Sequence, residues 1–364
     1  MPADDGDRLG DDEIDWTNVK RVLVVRLRSI GDTVLATPSV AALRRFLPDA
    51  RIDILLEDWV APLLEGSEDV DHIITVEKGL SSRLRTALEI RRTKYDVAFN
   101  LHGGTTGSFF TAASGARERV GFSYYQYSFL YSRRYPSGEQ FWNSEKIHSA
   151  EQQLALLGAA GVPVRDRPRA KLPISQTAVR SLGEKLRIAG VSRSDRPLAL
   201  FHPAAAFETK QWATENFAAV ARHLAGRGFA IVAVATRAER QVLEKLRKAT
   251  AAPVAIFDGL TLPEITALSA GADIFVGNDS GIAHIAAAIG IPSVVVFGSS
   301  NIDNWRPWTK APNRVVSEIL PCQPCDGYVC REFGRPKCIL SVAVPSVIAA
   351  VESVLSEKRK DDQN

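Results

Sequence analysis

One pattern narrows the fold of this chain before any composition is counted. Short apolar runs rich in Val, Ile and Leu alternate with longer stretches of helical spacing. Residues 21–27 read RVLVVRL, too short for a helix and apolar at successive positions, as a strand buried on both faces must be. Residues 33–46 follow with helical spacing and stop before Pro48. Residues 51–56 (RIDILL) and 72–76 read as strands, 81–92 as a basic helix, and 96–101 (DVAFNL) as a strand ending in His102-Gly103-Gly104. Such alternation needs crossover helices, so it predicts a parallel sheet in an α/β fold.

The pattern lapses over residues 122–147, which are rich in Tyr, Ser and Arg and have no clear period, as in a binding loop. A helix is expected over 149–160. Residues 161–173 hold three prolines and four basic residues and read as an interdomain linker. The alternation then resumes, with strands expected at 198–201, 230–235, 274–276 and 293–297. Helices are expected at 215–224, 239–249, 261–269 and 281–289. Thr261 with Glu264 three residues on is a capping box. A closing helix is expected at 345–358. The reading is therefore two doubly wound α/β units in series: an acidic flexible tail (1–18), a first domain (19–173), a second (174–344), and a terminal helix with its tail (345–364).

Composition excludes several alternatives. In 364 residues, 45% hydrophobic and 24% charged, there is enough apolar surface for two cores. Basic and acidic residues nearly balance, 45 against 42, which is not the excess of a dedicated nucleic-acid binder. The balance is uneven: residues 20–173 carry 22 Lys/Arg against 17 Asp/Glu, net +5, which suits an anionic partner. No apolar run reaches the ~20 residues of a membrane helix, and the acidic N-terminus lacks the basic and apolar regions of a signal peptide. A cytoplasmic location with at most peripheral membrane contact is expected.

Three segments carry candidate chemistry. The first strand runs into Arg26-Leu27-Arg28-Ser29-Ile30-Gly31-Asp32. Ligands of open α/β sheets sit beyond the carboxyl ends of strands, which puts Asp32 at a cleft mouth; spacing alone favours a plain N-cap. The dinucleotide fingerprint G-x-G-x-x-G is absent, which argues against a nicotinamide enzyme. The second segment, HPAAAFETKQW (202–212), has small residues that let a ligand approach the backbone, and Lys210 offers a point charge for phosphate. The third, IFVGNDSGIAH (274–284), is a strand, a small-residue turn and a helix start, an arrangement suited to an anion. Asp279 or Ser280 could also be simple caps, and His284 a satisfied interior histidine. Cys322, Cys325, Cys330 and Cys338 form a C-x2-C-x4-C-x7-C segment. That set suits a structural zinc; reduced thiols or a disulfide pair explain it as well, and an iron–sulfur cluster is a further alternative.

Together the segments RLRSIGDTVLATPSVAALRRFLP, HPAAAFETKQW and GNDSGIAHIAAAIGIPSVVVFG resemble glycosyltransferase family 9, the ADP-heptose:lipopolysaccharide heptosyltransferases, over residues 20–354. The resemblance implies a GT-B fold, two Rossmann-like domains facing across a cleft, with the final helix packing back on the first. It implies an inverting, metal-independent heptosyl transfer from ADP-heptose to the lipopolysaccharide inner core, an anionic lipid-linked acceptor on the inner face of the inner membrane. By position, Asp32 matches the general base and Lys210 the lysine on the donor diphosphate. Asp279, Ser280, Gly281 and His284 match the donor-binding turn, and Glu239, more loosely, a ribose-binding acid. His102, Arg117 and Arg119 are candidate acceptor contacts, with Arg83, Arg85, Arg133 and Arg134 as further basic candidates. Ala204 and Ala205 replace hydroxyl residues or Gly of some members. Another nucleotide sugar serving a different polysaccharide, or a non-catalytic nucleotide-sugar binder, are the competing readings.

Overall fold

Seven-residue runs such as RVLVVRL form central strands because both their faces must be covered, and the chain builds two sheets of this kind. The computed structural model describes residues 14–191, 196–325 and 327–361; the acidic stretch 1–13 lies outside them. The chain divides into two units, Met1–Pro173 and Ile174–Asn364.

The first unit contains β1 (Arg21–Leu27), β2 (Arg51–Glu57), β3 (His72–Val76), β4 (Val97–Asn100), β5 (Glu118–Phe122) and β6 (Arg133–Tyr135). All pair in parallel, in the order β3-β2-β1-β4-β5-β6. The second contains β7 (Leu198–His202), β8 (Ala230–Val234), β9 (Val254–Phe257), β10 (Ile274–Asn278), β11 (Ser293–Phe297) and β12 (Asn313–Ser317). These too are parallel, in the order β9-β8-β7-β10-β11-β12, which is the same topology. Each sheet therefore has one switch point where the strand order reverses, between β1 and β4 and between β7 and β10.

The first helix, Ile30–Phe46, begins three residues before the expected start and carries Pro38 in its middle. Proline leaves the carbonyl four residues back without its donor. The Thr37 hydroxyl donates to that carbonyl of Val34 at 2.8 Å, so the helix continues. The expected capping box is formed: Thr261 N donates to Glu264 Oε2 at 2.8 Å. Glu264 is buried, and its other oxygen accepts from Lys185 Nζ at 2.6 Å, tying the helix Gln176–Ile188 to the helix Leu262–Ala270.

Several expectations are corrected. Residues 14–18 are not a loose tail: Trp16 donates from Nε1 to the Ala160 carbonyl at 3.0 Å and packs on Phe46 and Phe99. The aperiodic stretch 122–147 contains β6 and a short helix, Gly138–Trp142. The helix Gly104–Ala113 was not expected at all. The closing helix runs Val344–Asp361, and its apolar residues Val347, Val351, Val354 and Leu355 are buried in the second unit's own core.

Trp212 anchors this second core. It is fully buried, its indole N–H donates to the Val342 carbonyl at 3.0 Å, and its ring meets Phe217 edge-on at 4.9 Å. Trp212→Ala is expected to cost about 3–5 kcal/mol, read as a lowered urea midpoint by circular dichroism. A loss below about 1 kcal/mol would mean that the indole is not wedged as described.

Candidate functional site

The carboxyl ends flanking each switch point hold the residues of interest, and each unit is described by itself. In the first, β1 delivers Arg26 and then the helix start. Arg26 is almost wholly buried at the end of an apolar strand, so its charge needs partners. One terminal nitrogen forms an ion pair with Asp32 Oδ1, the other donates to the Leu101 carbonyl, and Nε donates to the Asp32 carbonyl at 3.2 Å. Asp32 Oδ2 accepts from the Ser29 hydroxyl at 3.0 Å and from the Ser29 backbone N–H at 3.3 Å. Asp32 is thus held in the first turn of its helix with its side chain about a quarter exposed. The bland reading as an N-cap is superseded: Ser29 is the cap and Asp32 the residue three positions on.

Across the switch point, β4 ends at Asn100. This buried amide accepts at Oδ1 from the backbone N–H of His102 (3.0 Å) and of Gly103 (2.9 Å), and donates to the Tyr131 hydroxyl at 2.7 Å. That fixes the turn that carries His102. The His102 imidazole is pushed down to about 4, first by burial and then by the neighbouring Arg26 charge. Tyr125 closes over the turn, its ring 3.1 Å from where a Cβ on Gly103 would stand, a left-handed position (φ +70°) that favours glycine anyway. Burial also pushes the Tyr125 hydroxyl up, so it stays protonated. Asp32 and His102 are therefore brought together. Arg117 and Arg119 are not. They lie at the amino end of β5, the opposite edge of the sheet. Arg117 is exposed beside Glu118 at 3.6 Å, and Arg119 spends its guanidinium on the Leu130 and Ala116 carbonyls at 2.8 and 2.7 Å. Arg119 fastens a loop.

In the second unit, β7 ends at His202 and β10 at Asn278. Asn278 crosses the switch point, accepting from Trp212 N at 3.1 Å and donating to the Pro203 carbonyl at 3.0 Å. The residues that follow converge. Lys210 Nζ lies 2.7 Å from Asp279 Oδ2, and the Ser300 hydroxyl donates to the same oxygen at 2.5 Å. Asp279 is buried, and Lys210 is a quarter exposed. Ser280 begins the helix Gly281–Ile289 without capping it, because its hydroxyl shares a 3.1 Å hydrogen bond with His202 Nδ1. His284 is buried on that helix, 6.3 Å from the Trp305 ring. Glu239 follows β8 and uses Oε2 for the backbone N–H and hydroxyl of Thr236 (3.0 and 2.7 Å). A lysine, a helix start without a side-chain cap and hydroxyls gathered at one strand edge can take up an anion.

The four cysteines line one cavity of about 430 Å³, whose wall also includes Thr209 and Ser299. All are free thiols, and Cys338 is buried, which with the nearby thiols raises its pKa. Among the described residues no three ligating side chains gather where an ion could sit. The expected structural zinc is thus not shown, although all four thiols face the same cavity. The segment instead braces the strand ends beside Lys210. Cys325 N donates to the Ser299 carbonyl at 3.0 Å, the Thr209 hydroxyl donates to the Gly327 carbonyl at 2.9 Å, and Tyr328 packs on Phe207 at 4.4 Å. Gly298 permits this closeness, since a Cβ there would stand 2.1 Å from the Thr209 carbonyl oxygen.

Two Rossmann-like units of one topology in series are the GT-B architecture, a fold that many nucleotide-sugar glycosyltransferases share. The model of "Glycosyltransferase family 9 (heptosyltransferase)" matches residues 83–334, and the chain belongs to that family. It is 26% identical over 349 residues to lipopolysaccharide heptosyltransferase 3 of Escherichia coli K12, covering 91% of this chain and 97% of that one. Among solved structures, a family 9 glycosyltransferase from Veillonella parvula superposes with a TM-score of 0.80 at 21% identity, covering 93% and 97%. E. coli ADP-heptose lps heptosyltransferase II does so at 0.75 and 20%, covering 93% and 99%. These likenesses show the fold. Among the described residues no helix is long and apolar enough to cross a membrane.

Burial likewise pushes the His202 imidazole down to about 4. Unfolded histidine titrates near 6.5, so between about pH 6.5 and 4 the unfolded chain binds protons that the folded His102 and His202 refuse. Stability is expected to fall as pH drops through that window, by about 3 kcal/mol per histidine on reaching pH 4. His202→Asn should remove one share. Urea midpoints at pH 7 and 4.5 check this; equal acid losses in the wild type and the variant would contradict it.

Proposed function

We propose that this chain transfers heptose from ADP-heptose to a hydroxyl of the lipopolysaccharide inner core, with inversion at the anomeric carbon. The observation that supports this most is the Lys210–Asp279 pair beside the open start of the helix Gly281–Ile289. Departure of a nucleoside diphosphate builds negative charge on its phosphates while the sugar passes through an oxocarbenium-like state. A preorganised cation and N–H dipoles aimed at those phosphates stabilise that charge more in the transition state than before it. Lys210, Ser280 and Gly281 are positioned for this role. Asp279 orients Lys210, and its Oδ1 remains for a sugar hydroxyl. His284 lies one turn along the same helix. Glu239 Oε1 is available to the ribose hydroxyls.

In the first unit, Asp32 takes the proton of the acceptor hydroxyl. Arg26 and Ser29 fix its carboxylate in direction, and general-base action of this kind contributes about 10²–10⁴-fold. His102, held neutral, offers a hydrogen bond to the acceptor sugar. No step in this account calls on a metal. The acceptor is an anionic, lipid-linked oligosaccharide, reached from the cytoplasmic side of the inner membrane. The similarity to a structure described as an ADP-heptose lps heptosyltransferase supports the choice of donor and acceptor.

Asp32→Asn is expected to lower the transfer rate by about 10²–10⁴-fold while leaving ADP affinity within about twofold. Lys210→Ala should weaken ADP binding about 10- to 100-fold, the worth of a charge-assisted contact, and slow transfer as well. Product formation by mass spectrometry with ADP-heptose against UDP- and GDP-sugars tests the donor. Turnover of Asp32→Asn near wild type would remove the base, and a preference for another nucleotide would replace the donor.

A further inference from the structure

The helix Leu80–Thr93 in the first unit is turned inside out. Its buried residues are Ser82, Thr86 and Ile90. The two hydroxyl side chains meet the chain at β3: Glu77 N donates to Ser82 Oγ at 3.1 Å, and Thr86 Oγ1 donates to the Thr75 carbonyl at 3.3 Å. The leucines at spacing i, i+4, i+8 point outward instead, with Leu80, Leu84 and Leu88 71%, 50% and 58% exposed. They form a ridge about 12 Å long at 1.5 Å per residue.

Charge frames this ridge. From position 78 to 94 the chain carries six basic residues and one acid, Glu89. At 100° per residue, Arg85 and Arg92 fall on one flank of the ridge and Arg83 on the other. Where that first flank meets the amino ends of β1 and β2, a concavity of about 510 Å³ is lined by Arg21, Arg51, Arg85, Arg92, Leu88 and Glu89. Arg51 is pulled towards Asp53 at 2.9 Å, and Arg21 donates to the Thr93 carbonyl at 3.2 Å. Arg83, Arg85 and Arg92 are in no ion pair among the described residues.

We infer that this face docks on an anionic phospholipid surface, the leucines entering the boundary of the acyl chains and the arginine-lined concavity receiving headgroup phosphate. Exposed leucine between arginines is the arrangement of an interfacial helix. Arginine suits phosphate through its fork of donors, and basic side chains near an anionic surface add attraction that salt weakens. The charge decides the occupant, since a neutral apolar partner would gain nothing from the uncompensated guanidiniums. The inference deepens the proposed reaction, whose acceptor is lipid-linked, by naming the surface on which the enzyme would meet it.

Flotation of the full chain with vesicles of phosphatidylglycerol and phosphatidylethanolamine, against phosphatidylcholine alone, tests this. Binding is expected on the first only, and should weaken as salt rises. Arg85→Gln with Arg92→Gln should reduce it about thirtyfold, at about 1 kcal/mol per basic residue. Leu84→Ser with Leu88→Ser should reduce it at least tenfold, with the circular-dichroism melt unchanged because both side chains are exposed. Equal binding to neutral vesicles, no binding to either, or variants that bind as the wild type does would overturn the inference. So would leucine variants that dissolve a dimer in sedimentation velocity while keeping vesicle binding, which would make the ridge a contact between copies. ADP binding measured on the same samples separates the two proposals: its absence would sink the transferase reading and leave the vesicle result standing.

Discussion

A parallel sheet sends every strand's carboxyl end to the same edge, and that constraint organises the candidate chemistry here. Where the strand order reverses, the chains leaving two neighbouring strands turn to opposite faces, so the edge between them is not covered by a crossover. This happens twice, once in each unit. At both places the same device keeps the opening in shape: a buried asparagine at the end of the fourth strand of the unit, Asn100 or Asn278, holds the adjoining backbone through its amide. The catalytic candidates are the residues that follow. Their positions depend on hydrogen bonds that the sheet, not the helices, makes possible.

Both openings also pair their charges before any substrate arrives. Arg26 with Asp32, and Lys210 with Asp279, are each joined within one unit. In both cases one partner is buried, so removing the other would strand a charge in poor solvent. Pairing has a further consequence. A lysine already directed by a buried carboxylate and a hydroxyl loses little freedom when a phosphate comes, which lowers the ordering cost of binding. The same holds for a carboxylate fixed by an arginine and a serine.

How much of this was legible in the sequence depends on what kind of signal each element leaves. Central strands are buried on both faces, so β1, β10 and β11 appear as short apolar runs, and β2 does so apart from the buried Asp53. The edge strand β6 (RRY) and the neighbouring β5 (ERVGF) carry arginines and escape notice. The helix Gly104–Ala113 begins GTTG, residues of weak helical propensity, and exists because it packs on the sheet. Asp32, Lys210 and Asp279 could be picked out because they follow strand ends. Asn100 and Tyr131 could not, because their roles rest on contacts between distant segments. Arginine counts do not say which end of a strand a residue occupies, and Arg117 and Arg119 lie at the amino end of β5. Cysteine spacing foretold the gathering of the four thiols about one cavity, but not the geometry of their sulfurs.

The positive excess of the first unit has a place in the structure as well as a magnitude. At the carboxyl edge, Arg26 is neutralised by Asp32, and Arg28 is exposed within 3.8 Å of Glu57. The surplus collects elsewhere, on the helix Leu80–Thr93 and at the amino ends of β1 and β2. An excess meant to grip an acceptor at the reacting centre would stand at the other edge. Charge held away from the chemistry acts on orientation and encounter, since its field reaches about a Debye length, ~8 Å at physiological salt. That helix follows β3, so its Leu80 end faces the edge that carries Asp32 and its Arg92 end faces the opposite one. A surface attracted along the whole ridge would therefore be presented with the Asp32 edge at a fixed tilt, and this is how charge remote from the carboxylate can still serve it.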